Sequence, residues 1–254
     1  MLSKNLAKYI QSLHQKKYRY EHGAFLVEGA KSVQEVLASD FQVDILLATE
    51  AFYKENAFRA DRRCARLEIV QAAELDRVGT LESNNAALAV VRTKENRPLV
   101  ADPDEIVLVL DAIRDPGNLG TILRIADWYG VRKLICSDTT ADVYNPKVIS
   151  ASKGSFTRVQ WWYGDLEPFL KEAFASAGQP AVYGAFLNGS DVHQRAFGRG
   201  GYLVMGNEAN GIGPGVARYV TERITIPRYG DAESLNVGIA TAIILDNWRR
   251  SSGG

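Results

Sequence analysis

Short apolar runs alternate with stretches of helical periodicity along the whole chain. Before residue 95, segments 25–27, 43–48 and 86–91 read as strands and 31–38 as a helix, a small α/β unit. Residues 95–105, ENRPLVADPDE, carry two prolines and several charges between two apolar runs, which marks a domain boundary. Beyond it the alternation is regular. Strands are expected at 106–111, 133–136, 181–186, 202–205 and 223–226. Helices are expected at 119–129, 146–151, 166–177 and 235–250. Continuous apolar strands separated by helices predict a mainly parallel sheet covered on both faces. Such sheets carry ligands at the carboxyl ends of their strands, so the loops after Leu110, Met205 and Ile226 are the ones to inspect. Only the tail 251–254 reads as low-complexity.

Composition narrows the class. The chain has 254 residues, 46% hydrophobic and 24% charged, which is the profile of an ordinary globular protein. Lys plus Arg and Asp plus Glu both total 30, so a histone-like mode driven by net charge is excluded, though a local basic patch is not. Residues 1–20 hold Lys4, Lys8, Lys16, Lys17 and Arg19 with no acid, interleaved with Tyr9, Tyr18 and Tyr20. Cations for phosphates and rings for stacking suit a nucleic-acid surface, and a water-facing helix fits the same charges equally well. Cys64 and Cys136 are far apart and form no CxxC, and His14, His22 and His193 are scattered, so neither a disulfide framework nor a metal site is expected. No apolar run approaches the ~20 residues of a membrane span, and the first residues lack the apolar stretch of a signal peptide. A cytoplasmic location is expected.

Three loops hold candidate chemistry. The first, from Asp111 to Arg124, contains Pro116-Gly117, with Asn118 as the expected N-cap; Arg124 has the choice of a site role or an i+3 pairing with Asp127. The second, Gly206 to Gly215, lacks the spacing of GxGxxG, and no GxxxxGK[ST] occurs. Its glycines with Asn207, Glu208 and Asn210 suit a wall of backbone groups, or an ordinary turn. The third, Pro227 to Asn236, offers Ser234 as the expected N-cap of a helix carrying the small residues Gly238, Ala240 and Ala242.

Taken together and in this order, Asn118-x-Gly120-x-x-x-Arg124, Gly206-Asn207-Glu208-x-x-Gly211, and Ile226-Pro227 followed by Glu233-Ser234-Leu235-Asn236 resemble the signature motifs of SpoU/TrmH-type RNA ribose methyltransferases of the SPOUT superfamily. That resemblance covers about residues 106–250. Phe25-Leu-Val-Glu-Gly-Ala-Lys, after the basic stretch, is similar to the ribosomal-protein-like substrate-binding domain of rRNA members. Gly238 departs from the family pattern, where a larger or hydroxylated residue is usual, and Trp128-Tyr129 is bulkier than common.

The resemblance implies an RNA substrate-binding domain over 1–97, a linker over 98–105 and a methyltransferase domain over 106–254. Its sheet would be threaded into a deep trefoil knot, an exception to the rule against knots. It implies S-adenosylmethionine as cofactor, held around Met205, Gly206, Ile226, Leu235 and Asn236, and no metal. Arg124, Asn118, Glu208, Ser234 and Asn236 are the implied catalytic set. Lys4, Lys16, Lys17, Arg19 and Arg114 are the candidate RNA contacts. An arginine ordinarily titrates above ~12, which favours charge stabilisation over general-base work for Arg124. A homodimer meeting along the helices 118–129 and 235–250 is implied. The substrate is expected to be rRNA; the competing readings are tRNA and a non-catalytic ribosome-assembly factor of the same fold. A Rossmann oxidoreductase lacks its glycine fingerprint, and a hydrolase lacks GxSxG.

Overall fold

The computed structural model describes residues 2–175 and 179–252. The end of the helix expected at 166–177 and the last residues of the tail lie outside the described residues. The chain divides into two compact units, residues 1–95 with 142–157, and residues 96–141 with 158–254.

In the first unit, α1 (Lys4–Ser12) and α2 (Lys16–His22) precede β1 (Ala24–Glu28), α3 (Ala30–Ala38), β2 (Val43–Ala48), α4 (Glu50–Arg63), β3 (Cys64–Ile69), α5 (Ala72–Val78) and β4 (Ala87–Arg92). The sheet order is β1-β4-β2-β3, antiparallel except for the β2/β3 pair. Alternation along the strands sends Leu26, Leu47, Leu88 and Val90 to a core with Leu6 and Ile10 of α1, Leu13 just after it, and Leu75 and Val78 of α5. Phe25 packs instead among Phe41, Tyr144 and Phe156, with the Phe25 and Tyr144 ring centroids 4.6 Å apart. The segment 142–157 is therefore built into this unit by its aromatic side chains. β3 is a half-exposed edge strand, which hid it from a search for apolar runs.

The basic leading segment is two helices separated by a turn, and their cations divide. Lys4, Lys16 and Lys17 are exposed. Arg19, expected on phosphate, is instead 2% exposed. Its Nε and Nη2 donate to Asp142 Oδ2 at 3.2 and 2.6 Å, and Nη1 donates to the Leu13 and His14 carbonyls at 3.1 and 2.9 Å. The turn between α1 and α2 leaves those carbonyls open, and a planar guanidinium is the side chain that serves them and a carboxylate together.

The second unit contains β5 (Ile106–Leu110), α6 (Pro116–Trp128), β6 (Lys133–Ser137), β7 (Gln160–Gly164), α8 (Leu166–Ala175), β8 (Val182–Asp191), β9 (Gly201–Met205), α9 (Pro214–Ala217), β10 (Glu222–Thr225) and α10 (Val237–Ser251); α7 (Pro146–Ser152) belongs to the first unit. Six parallel strands run in the order β10-β8-β9-β5-β6-β7. The central β5 and β9 are buried along their whole length, as strands covered on both faces must be. β7, with sequence QWWYG, is an edge strand whose bulky rings and polar start gave no strand signal. β8 outruns its expected end and breaks register opposite Arg223/Ile224.

Two helix starts differ from expectation. Asp115, not Asn118, caps α6: its Oδ1 accepts the Asn118 amide at 2.8 Å, and Pro116 occupies the first turn, where a missing N–H costs nothing. Asn236, not Ser234, caps α10, its Oδ1 accepting from Gly238 and Ile239 at 2.9 and 3.3 Å. The first shift has a consequence for chemistry, because it releases the Asn118 side chain.

Candidate active site

At the carboxyl ends of β9 and β10, beside the middle of β8, lies a cavity of about 660 Å³, within the usual range for small-molecule sites. Its apolar lining includes Met205, Ile212, Ile226, Leu235 and Val237, and its polar rim includes Glu208, Arg228 and Glu233. Of the expected cofactor contacts, Met205, Gly206, Ile226 and Leu235 line it; Asn236 does not, but continues directly from Leu235. The contribution of Ala185–Asn188 in β8 was missed. The signal was present, since strand 181–186 is expected and its carboxyl end obeys the same rule.

The Gly206 loop folds back on itself. Asn207 and Gly211 exchange both backbone hydrogen bonds, at 2.9 and 2.8 Å, and Asn207 Oδ1 accepts the amides of Ala209 and Asn210. Gly211 has φ +67°, a left-handed conformation that favours glycine. A Cβ at Gly206 would lie 2.3 Å from the Gly211 carbonyl carbon and the Ile212 nitrogen, so only glycine fits there. The result is a thin backbone wall, with no glycine fingerprint of the dinucleotide type.

Side chains from all three candidate loops meet. Asn118 Nδ2 donates to Glu208 Oε1 in a short contact, and Asn236 Nδ2 donates to Asn118 Oδ1 at 2.8 Å. Asn118 is thus the bridge, free to act because Asp115 does the capping. Glu208 also lines the cavity, so the cluster adjoins it. Ser234 lines the cavity too. Arg124 is exposed on α6 and is not part of the lining. Its expected alternative partner, Asp127, is taken by Arg158 at 2.8 Å. Arg114 is exposed on the β5–α6 connection. Gly238 is explained within this unit: a Cβ there would come 3.1 Å from Thr121 Cγ2, so the small residue lets α10 approach α6.

Neither cysteine is available as a nucleophile. Burial pushes the Cys64 thiol up to about 11 and raises that of Cys136 further still. Among the described residues no group of His, Cys, Asp and Glu could hold a metal ion. What remains is a cavity with an apolar body and a rim of two carboxylates and one guanidinium, beside a carboxamide–carboxylate cluster.

Residues 105–246 match the SpoU rRNA methylase family, and residues 4–89 match the MRM3-like substrate binding domain. The chain is 30% identical over 240 residues to the 23S rRNA (guanosine(2553)-2′-O)-methyltransferase RlmP of Bacillus subtilis, covering 94% of each chain. It superposes on a TrmH-family protein from Porphyromonas gingivalis with a TM-score of 0.86 and 36% identity, over 99% of this chain and 100% of that one. The AdoMet-bound rRNA methyltransferase of Sinorhizobium meliloti gives a TM-score of 0.87 at 28% identity, over 98% and 96% of the two chains. The α/β architecture with its parallel six-stranded sheet is the one these structures share. On the match of more than half its length, and on the meeting of its three motif loops, the chain belongs to the SpoU rRNA methylase family.

Proposed function

We propose that this chain transfers a methyl group from S-adenosylmethionine to a ribose 2′-hydroxyl of RNA, with rRNA as the substrate class. The observation that carries the reading is the Glu208–Asn118–Asn236 cluster, which joins three loops remote in sequence beside one cavity. The cavity fits the cofactor in chemistry as well as size: aliphatic side chains suit its nucleoside, and the Glu208 and Glu233 carboxylates suit its cationic groups. Met205, Gly206, Ile226 and Leu235 would hold it. When bound, the cofactor supplies an electrophilic methyl group on a sulfonium. The protein's own tasks are alignment and management of the hydroxyl proton.

Arg124 and Glu208 divide those tasks. Arg124, exposed on α6 and unpaired among the described residues, binds an RNA phosphate bidentately in this reading and stabilises negative charge developing on the ribose oxygen. Glu208 is the carboxylate of the cluster and takes the proton role. Asn118, Asn236 and Ser234 orient ribose and cofactor. Lys4, Lys16 and Lys17 provide phosphate contacts in the first unit, with Arg114 in the second. Tyr20 is 63% exposed with the Lys16 ammonium 5.4 Å from its ring centre, a combination suited to an unpaired base.

A two-fold dimer along α6 and α10 is supported by the large apolar side chains these helices leave exposed, Trp128 at 83% and Ile239 at 52%. A knotted path for the second unit goes with the family. A cytoplasmic location goes with an rRNA substrate, and among the described residues no helix is long and apolar enough to cross a membrane.

The deciding experiment is Arg124→Ala, followed by calorimetry with S-adenosylmethionine and by methyl transfer to RNA. Transfer is abolished and cofactor affinity is kept; equal loss of both refutes the assignment. Mapping 2′-O-methylated positions in cellular RNA with and without the protein separates rRNA from tRNA.

A further inference from the structure

β5 and β9 end side by side, with Leu110 paired to Met205. Their ladder continues one residue further, since the Asp111 amide donates to the Met205 carbonyl at 2.9 Å. Beyond that point the two loops part, the β5 loop towards Asn118 and the β9 loop towards the cavity wall. Side chains then tie them together again. Asp111 Oδ2 accepts the Gly213 amide at 2.7 Å, and Asn207 Nδ2 donates to the Ala112 carbonyl at 2.8 Å.

Ala112 between these contacts has φ +56°, a left-handed conformation that an alanine adopts only when its surroundings hold it there. Its amide donates to Ser137 Oγ at 2.9 Å, so both of its backbone polar groups are engaged in holding the turn. Asp111 does not line the cavity, but Ile212, the neighbour of Gly213, does. Asp111 was not among the expected site residues.

We propose that Asp111 is a positioning residue for methyl transfer: its carboxylate fixes Gly213, and thereby the Gly211–Ile212 wall of the cavity, against the loop that delivers Asn118. This inference rests on the cofactor assignment above. It distinguishes Asp111 from the acceptor-side residues, because its loss loosens the cofactor wall and leaves the Asn118–Asn236 contact in place.

The test is Asp111→Ala and Asp111→Asn in the full chain, with cofactor affinity by calorimetry, KM and kcat for cofactor and RNA, and thermal melting. A hydrogen bond to an ionised acceptor corresponds to about tenfold or more in affinity. Asp111→Ala therefore raises the cofactor Kd and KM by about tenfold or more, with kcat and RNA KM within about threefold of wild type. Asp111→Asn retains a carbonyl acceptor and recovers most of that affinity. Cofactor affinity unchanged in folded Asp111→Ala, a loss confined to kcat, or equal losses in the two variants would overturn the proposal. Should Asp111→Ala fail to fold, Ser137→Ala, which removes the anchor on the Ala112 amide, decides: a severalfold rise in cofactor KM supports the proposal and an unchanged KM overturns it. A wild-type protein that binds no S-adenosylmethionine refutes the functional reading itself, a separate outcome.

Discussion

Replacing Arg19 by alanine is expected to destabilise the first unit severely. The guanidinium makes four hydrogen bonds, two to Asp142 and two to backbone carbonyls, and the side chains of the pair are 2% and 5% exposed. Asp142 is also engaged through Oδ1, which accepts the Tyr144 amide at 3.0 Å, so the carboxylate cannot swing to water without breaking the 142–157 segment. Arg19→Ala leaves that carboxylate buried without its counter-charge and opens the Leu13 and His14 carbonyls. Removing one member of a buried pair costs roughly 3–5 kcal/mol, a large part of the ~5–15 kcal/mol that holds a domain folded. With a urea slope of ~2 kcal/mol/M, the midpoint falls by about 2 M.

The readout must be chosen by unit. Trp128, Trp161, Trp162 and Trp248 all lie in the second unit, so tryptophan fluorescence reports on that one, and the loss is followed by far-UV circular dichroism. Replacing both partners with apolar residues, Arg19→Met with Asp142→Leu, recovers much of the stability, because no charge is left stranded. A loss below ~1 kcal/mol for Arg19→Ala would refute the reasoning, since that is the scale of a solvent-exposed pair.

Other expectations follow from the same geometry. Lys16→Ala with Lys17→Ala flattens the dependence of RNA affinity on salt by about 0.7–0.9 per lysine in a log–log plot and leaves melting unchanged; an unaltered slope places the RNA elsewhere. Gly206→Ala abolishes cofactor binding measured by calorimetry, since its Cβ would lie 2.3 Å from backbone atoms that no side-chain rotation can move. Cys64 titrates at about 11 in the folded state against an ordinary ~8.5–9, so the fold prefers the protonated thiol. That contribution to stability is complete below pH ~9 and is lost as pH rises towards 11, and Cys64→Ser removes this part of the alkaline slope in urea titrations. Thiol alkylation at pH 8 is correspondingly slow until urea unfolds the chain.

The sequence by itself determined the class of the fold and the loops in which the candidate site residues lie. Apolar strands at fixed intervals require a parallel sheet, and a parallel sheet directs attention to three carboxyl-end loops, which hold Asn118, Glu208 and Asn236. Local signals of this kind survive in a single chain because burial is periodic. The half-exposed edge strands β3 and β7 carried no such period and went unseen.

The partner of each polar side chain was decided only by tertiary structure. The Asp115-Pro116 pair is a local cap signal that frees Asn118, but nothing near Asn118 in sequence says that its side chain will bridge residues 90 and 118 positions away. Arg19 reads as a phosphate ligand until the chain returns, 123 residues later, to bury Asp142 beside it. A cation in a basic stretch has the same composition whether it faces water or a carboxylate. Which of the two it meets depends on long-range packing, where desolvation makes an unpaired charge too costly to leave inside.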